Sequence, residues 1–175
     1  MNKQTKLIIV SLLIFAAILS VFVFLNKDNI AQMQEYQKNA LFNIKLPAEE
    51  KLFSMEEVFA LTPYEPTVIQ RSATFGNGKF TYTGVLLRDL LESAGADPEK
   101  IDMVVVNGAD GYVSGITGKE LRNTDSVYLC YYKNGNVLGD KASGGSGPFQ
   151  LIVSDDIFAQ RWVRFVSEII VEYKE

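Results

Sequence analysis

Residues Tyr82–Gly95 read YTGVLLRDLLESAG, and two periodicities meet inside them. Upstream, KFTYTGV (Lys79–Val85) alternates apolar and polar side chains, the two-residue period of a half-buried strand. From Val85 the period lengthens. Leu86, Leu87, Leu90, Leu91 and Ala94 fall on one helical face, and Gly95 stands at the C-cap position. A strand that runs straight into a short helix predicts an α+β fold if the flanking elements are also short and mixed.

They are. TVIQRSATF (Thr67–Phe75) alternates, with Gly76-Asn77-Gly78 as the expected turn into the next strand. Further back, Ser54-Met55-Glu56-Glu57 is a capping box that opens a short helix to about Leu61, closed by Pro63. LFNIKL (Leu41–Leu46) reads as an edge strand. Downstream, IDMVVVN (Ile101–Asn107) reads as a buried strand, Asp110-Gly111 as a turn and YVSGI as a strand. Thr117 and Glu120 form a second capping box. SVYLCYYK (Ser126–Lys133) is a strand before an Asn134-Gly135 hairpin signal, and FQLIVS is another. DDIFAQ reads as a helical turn, and RWVRFVSEIIVEY (Arg161–Tyr173) as a long terminal strand. No internal repeat is visible.

The front of the chain differs. Leu7–Leu25 is an uncharged run of 19 residues, about 28 Å long as a helix, against a bilayer core of about 30 Å. Lys3 and Lys6 precede it, which places the N-terminus in the cytoplasm and the domain outside. A single-pass anchor in the cell membrane is expected. The alternative is secretion after signal cleavage, which the length of the run and the lack of a small-x-small site disfavour. No cysteine follows the run, so it offers no lipoprotein anchor. The expected organisation is an anchor over 1–25, a polar stalk over 26–40 and a domain over 41–175.

All 21 acidic residues follow Leu25, against 15 of the 17 basic ones, so the outer part carries about −6. That charge argues against nucleic acid as a partner. The chain has no histidine and one cysteine, Cys130. Histidine triads, Cys-His dyads, histidine metal sites and an intramolecular disulfide are therefore excluded. Cys130 reads as a small buried hydrophobe.

One run suggests a phosphate cradle: KASGGSGPFQLIV (Lys141–Val153). It lacks Walker spacing, has no Lys-Ser or Lys-Thr after its glycines, and leads into a strand rather than a helix.

In order, MEEVFALTPYEPTVIQ, YTGVLLRDLLESAG, DGYVSGI, VYLCYYKNGNVL, GPFQLIV and RWVRFVSEIIV resemble the molybdopterin-binding domain of sulfite oxidases and plant-type nitrate reductases. The resemblance covers roughly 46–171. It implies a sulfite-oxidase-type fold of mixed short strands with two or three short helices. It also implies a pterin cleft, in which the loop carrying Gly147 closes one side and Asp110 lies in a turn near the substrate face. The family's molybdenum is bound by a cysteine in the stretch aligned with Gln70, Arg71 and Ser72, where this chain has no thiol. Ser72 lies nearest the expected place, and serine is a poor stand-in for thiolate. Arg71 is the cation expected to fill the vacated space, meeting an anion or an acid such as Asp110. Where the family has a basic residue after Gly-Pro, this chain has Gln150. Arg161 and Arg164 align with the cations that help hold the pterin phosphate, although three apart on a strand they face opposite sides. Their structural reading is a pair of solvated edge charges; that of Asp110 is turn geometry.

Three functions follow. The first is a degenerate, non-catalytic relative that binds an anionic small molecule or a protein partner in the former pterin cleft. The second is an active molybdopterin-dependent oxidoreductase with altered ligation through Ser72 or no protein atom. The third is a cell-envelope interaction module.

Overall fold

The computed structural model describes residues 3–72, 76–123 and 125–174. The chain forms two compact units, 1–35 and 36–175. Helix α1 (Lys3–Lys38) takes up the whole apolar run and the polar stretch after it. Its described apolar side chains from Ile8 to Phe24 are exposed. Among the described residues no helix is long and apolar enough to cross a membrane. The side chains of Leu7, Phe22, Val23 and Leu25, inside the expected span, lie outside those described.

The second unit is built on two sheets. In one, β1 (Leu41–Lys45) pairs antiparallel with β2 (Glu50–Ser54) and parallel with β10 (Val166–Tyr173). Strand β10 also pairs antiparallel with β5 (Ile101–Gly108), which pairs with β6 (Val113–Thr117). The order is β2-β1-β10-β5-β6. LFNIK is therefore an inner strand, not the expected edge. Strand β2, EKLFS, carries two charges and no clean alternation; its pairing with β1 makes it a strand.

The second sheet holds the predicted strand-to-helix stretch. Strand β3 (Thr67–Ser72) pairs with β4 (Gly76–Leu86), and β4 pairs with β7 (Val127–Lys133). On its other edge β7 meets β8 (Asn136–Val137) and β9 (Gln150–Val153). Gly76-Asn77-Gly78, read above as the turn, opens β4. Ser72 pairs with Gly76, and the connection between them falls outside the described residues.

Helix α2 (Met55–Phe59) has the predicted capping box: the Glu57 N–H donates to Ser54 Oγ, and the Ser54 N–H to Glu57 Oε2 at 2.7 Å. Strand β4 runs through Leu86, so α3 (Leu87–Ser93) starts later than predicted. It buries Leu87, Leu90 and Leu91 completely, and Gly95 takes the left-handed φ of +96° that ends it. In α4 (Gly118–Asn123) the Glu120 N–H donates to Thr117 Oγ1. These faces join one core with Ile101, Val104, Leu129 and Ile169. At Gly84 a Cβ would lie 2.4 Å from the Leu129 carbonyl oxygen, so only glycine lets β4 approach β7 this closely. Asn134 (φ 51°) and Gly135 (φ 75°) make the predicted hairpin turn.

The expected terminal strand is half loop. Residues Arg161–Phe165 are irregular and only Val166–Tyr173 is strand; Phe165 sits at φ 53°. Trp162, Val163 and Phe165 are strand-type residues, but tertiary hydrogen bonds shape the backbone. The Leu151 N–H donates to Val163 O, Phe165 to Ser146 O, and Ala109 to Phe165 O.

Candidate functional site

One pocket of the second unit gathers polar side chains from four strands and one loop. Its lining is Gln70 of β3, Tyr82 of β4, Lys133 of β7, Gln150 of β9, and Ala159, Trp162 and Arg164 of the loop before β10. The cavity volume is about 40 Å3, on the order of two or three waters.

Lys133 is its electrostatic centre. It pairs with Tyr82 across β4 and β7, which puts its chain beside two rings. Its Nζ lies 3.6 Å from the Phe80 centroid and 5.4 Å from that of Tyr82, within cation–π range. It donates to Gln70 Oε1 at 3.5 Å. Burial, and after it the charge of Arg164, hold the ammonium below the ordinary lysine value of 10.5. Among the described residues no carboxylate lies within ion-pair distance of Lys133.

The walls are rigid. Tyr82 is fully buried and packs edge-on to Trp162 with centroids 6.0 Å apart. The Trp162 indole N–H donates to Val153 O at 2.9 Å. The backbone at Arg164 is closely packed: a Cβ at Gly108 would lie 2.5 Å from the Arg164 carbonyl oxygen. Gln70 and Gln150 are buried, and Gln150 Oε1 has no hydrogen-bond partner. That oxygen is an acceptor, and leaving it without a donor costs on the order of 1–3 kcal/mol, a cost that a water in the pocket would relieve.

Of the six residues singled out from the sequence, only Arg164 lines this pocket. Arg71 is exposed, because alternation along β3 sends Gln70 inward and Arg71 outward. The described residues show no ion pair between Arg71 and Asp110. Ser72 ends β3, and its side chain lies outside those described. Asp110 closes an Asx turn, accepting from the Tyr112 N–H at 3.1 Å. Arg161 forms a double fork: Nε donates to Asp156 Oδ2 at 2.9 Å, Nη1 and Nη2 to Glu120 at 3.0 and 2.8 Å, and Nη2 also to Asp156 Oδ1. Arg161 and Arg164 do not converge on one guest. Gly147 lies in a loop that bonds to itself. The N–H groups of Ser143, Gly144, Gly145, Ser146 and Gly147 go to Asp140 Oδ1 and to the carbonyls of Lys141, Asp140, Leu138 and Gly139. The loop thus turns these five donors inward, away from any phosphate.

Lys133 and Tyr82 went unnoticed as site residues. They pair across β4 and β7 although 51 residues apart in the chain (133 − 82), and no local pattern announces their pairing. Cys130 is fully buried on β7, and burial pushes its thiol well above the ordinary range.

Two sheets joined by a strand-to-helix unit carry a polar pocket walled by β3, β4, β7 and β9, and comparison with known proteins gives this fold its class. The profile described as oxidoreductase molybdopterin binding domain matches residues 55–175, and the chain belongs to that family. The crystal structure of the sulfane dehydrogenase SoxCD from Paracoccus pantotrophus is similar, with a TM-score of 0.64 and 20% identity. That match covers 79% of this chain and 39% of that one; at this identity it shows the fold. No curated protein sequence matches.

The pocket lacks the thiolate that, by the resemblance, binds the family's molybdenum: none of its lining residues is a cysteine, and the chain's one thiol is buried in β7, where burial raises its pKa. Among the described residues no group of three His, Cys, Asp or Glu side chains could hold a metal ion.

Proposed function

We propose that this protein is a membrane-anchored, extracytoplasmic member of the family that binds an anionic group in the former pterin cleft and performs no molybdenum redox chemistry. The observation that carries this reading is the juxtaposition of Lys133 and Arg164 in a pocket with two buried amides. A carboxylate or similar anion there would accept from Lys133 and Arg164 as charge-assisted bonds, each roughly twice as strong as a neutral one. The cavity of about 40 Å3 is too small to enclose a pterin. The anchoring rests on the uncharged Leu7–Leu25 run behind Lys3 and Lys6.

Two measurements test this. Protein purified from its native host should contain no stoichiometric molybdenum and release no pterin fluorescence on oxidation; finding both would restore the oxidoreductase reading through altered ligation. Acetate titrated into the full chain in detergent should bind, and K133Q should weaken it about tenfold or more. Equal binding by K133Q would remove the site. Extraction of the chain from membranes by alkaline carbonate would overturn the anchor.

A further inference from the structure

We infer that β6 is a docking edge for a second copy of this chain, the two β6 strands pairing antiparallel about a two-fold axis through Gly115.

The register shows which groups β6 leaves free. It is the last strand of its sheet, and it pairs with β5 as Asn107 with Val113, Val105 with Gly115 and Met103 with Thr117. At the turn between them the Gly108 N–H donates to Tyr112 O at 2.8 Å and the Gly111 N–H to Gly108 O at 2.9 Å. Antiparallel ladders alternate between hydrogen-bonded and non-hydrogen-bonded pairs. Counting on from Gly108 and Tyr112, the bonded pairs are Val106 with Ser114 and Val104 with Ile116. The N–H and C=O groups of Val113 and Gly115, and the N–H of Thr117, therefore point away from β5. Among the described residues no turn or loop bonds to these groups, and all three residues are exposed.

A free edge is a template for another strand, and edges are ordinarily blunted by charge or proline. The opposite edge of this sheet, β2, carries Glu50 and Lys51. In the other sheet, β3 follows Pro66 and carries Arg71. Strand β6, VSGIT, has neither device. Helix α4 leaves the edge open, because Arg122 Nη1 donates to Pro98 O and Ile101 O and ties the helix to the start of β5.

Charge selects the occupant. Asp110 stands just before β6 and Lys119 just after it; both are exposed, and among the described residues neither is in an ion pair. Glu120, beside Lys119, is neutralised by Arg161. A two-fold through Gly115 sets the start of each strand against the end of the other. Asp110 of each copy then meets Lys119 of the second copy, at both ends of the pair. The two Gly115 residues exchange both their backbone bonds, and each Val113 carbonyl accepts from Thr117 of the second copy, about four bonds in all. An extended segment of another protein would find the same backbone groups but would not bring the matching charge to each end.

The test uses the full chain in detergent micelles. In this register the two Gly115 Cα atoms lie about 5.5 Å apart, within disulfide reach, whereas the two Val113 residues are about 14 Å apart along the strands. A Cβ at Gly115 would lie 3.3 Å from Met103 Sδ, the flexible end of a side chain that can give way. Under copper–phenanthroline oxidation G115C should form disulfide dimers at least tenfold faster than V113C or the wild type, whose Cys130 is buried. Adding K119E to G115C should slow the dimer at least threefold by setting like charges together. G115C no faster than V113C overturns the pairing, and an unchanged rate with K119E overturns the two-fold. A second measurement needs no variant. Carbodiimide treatment of mixed isotope-labelled and unlabelled wild-type chains should join Asp110 of one copy to Lys119 of the other. Within one chain these residues are separated by the length of β6, about 17 Å, too far for a zero-length link. Absence of the mixed-isotope link would likewise overturn the inference.

Discussion

Replacing Arg161 by Gln tests whether this residue is a structural clamp rather than a solvated charge. The guanidinium makes four hydrogen bonds to two carboxylates that are only 22% and 17% exposed, while its own side chain is 37% exposed. A fully exposed pair contributes about 0–1 kcal/mol. Removing one partner of a fully buried pair costs about 3–5 kcal/mol. The cluster lies between these limits, and its partial exposure discounts the upper one, so R161Q should cost about 2 kcal/mol. Glu120 and Asp156 would also be left facing each other without their shared cation. For a folded unit of this size each kcal/mol moves Tm by about 3–4 °C, so a fall of about 6–8 °C is expected. The assay is thermal and urea unfolding followed by the fluorescence of Trp162, the chain's single tryptophan and a neighbour of the mutated residue. R161K keeps the charge but loses the planar fork, and should recover about half of the loss. A change within about 0.5 kcal/mol, as at an ordinary surface position, would refute the clamp. So would an R161K variant as stable as the wild type.

Four more expectations follow from the packing and the pocket. Gly108→Ala drives a Cβ to within 2.5 Å of the Arg164 carbonyl oxygen; it should cost about 1–3 kcal/mol in urea unfolding and weaken acetate binding, and unchanged binding would detach Arg164 from the pocket. Gln37, at the end of α1, is buried and donates to Tyr131 O at 3.1 Å and Pro148 O at 3.0 Å. Gln37→Ala should therefore cost about 1–3 kcal/mol. Leu90→Ala removes a fully buried side chain of α3 and should cost about 3 kcal/mol or more. Because Lys133 is held below 10.5 in the fold, the unfolded chain binds its proton more tightly. The charged lysine thus costs stability at neutral pH, and that cost fades as pH rises from the folded value to the unfolded one. The stability of wild type minus that of K133M should climb over this alkaline window, and a flat difference would contradict the burial argument.

The local signals in the sequence describe the fold well where a motif supplies its own partner. The Ser54–Glu57 box, the Asn134-Gly135 turn and the leucine face of α3 each form within a few residues, so their geometry is written in their spacing. Strand β2 was invisible because its stability comes from β1. Arg161–Phe165 misled for the opposite reason: Trp162, Val163 and Phe165 look like strand residues, but the Arg161 forks and the bonds from Leu151 and Phe165 bend the backbone into a loop. The candidate site was legible at Arg164 and, through the resemblance, in the Gln70–Ser72 stretch and at Gln150. The counterpart of Arg164, Lys133, is set by the β4–β7 register, and the inward turn of Gln70 in place of Arg71 depends on which face of β3 meets the core. Neither fact has a signature within one strand.

Strand β10 is the middle member of its sheet, with β1 on one side and β5 on the other. It also follows the other four strands of that sheet in chain order. A nascent chain that has emerged through β9 holds β2-β1 and β5-β6 as two hairpins with nothing to join them. Residues 166–173 must arrive before the sheet exists. Folding of this sheet therefore waits on β10, and a chain cut before Val166 would be left for quality-control proteases rather than as a shortened domain.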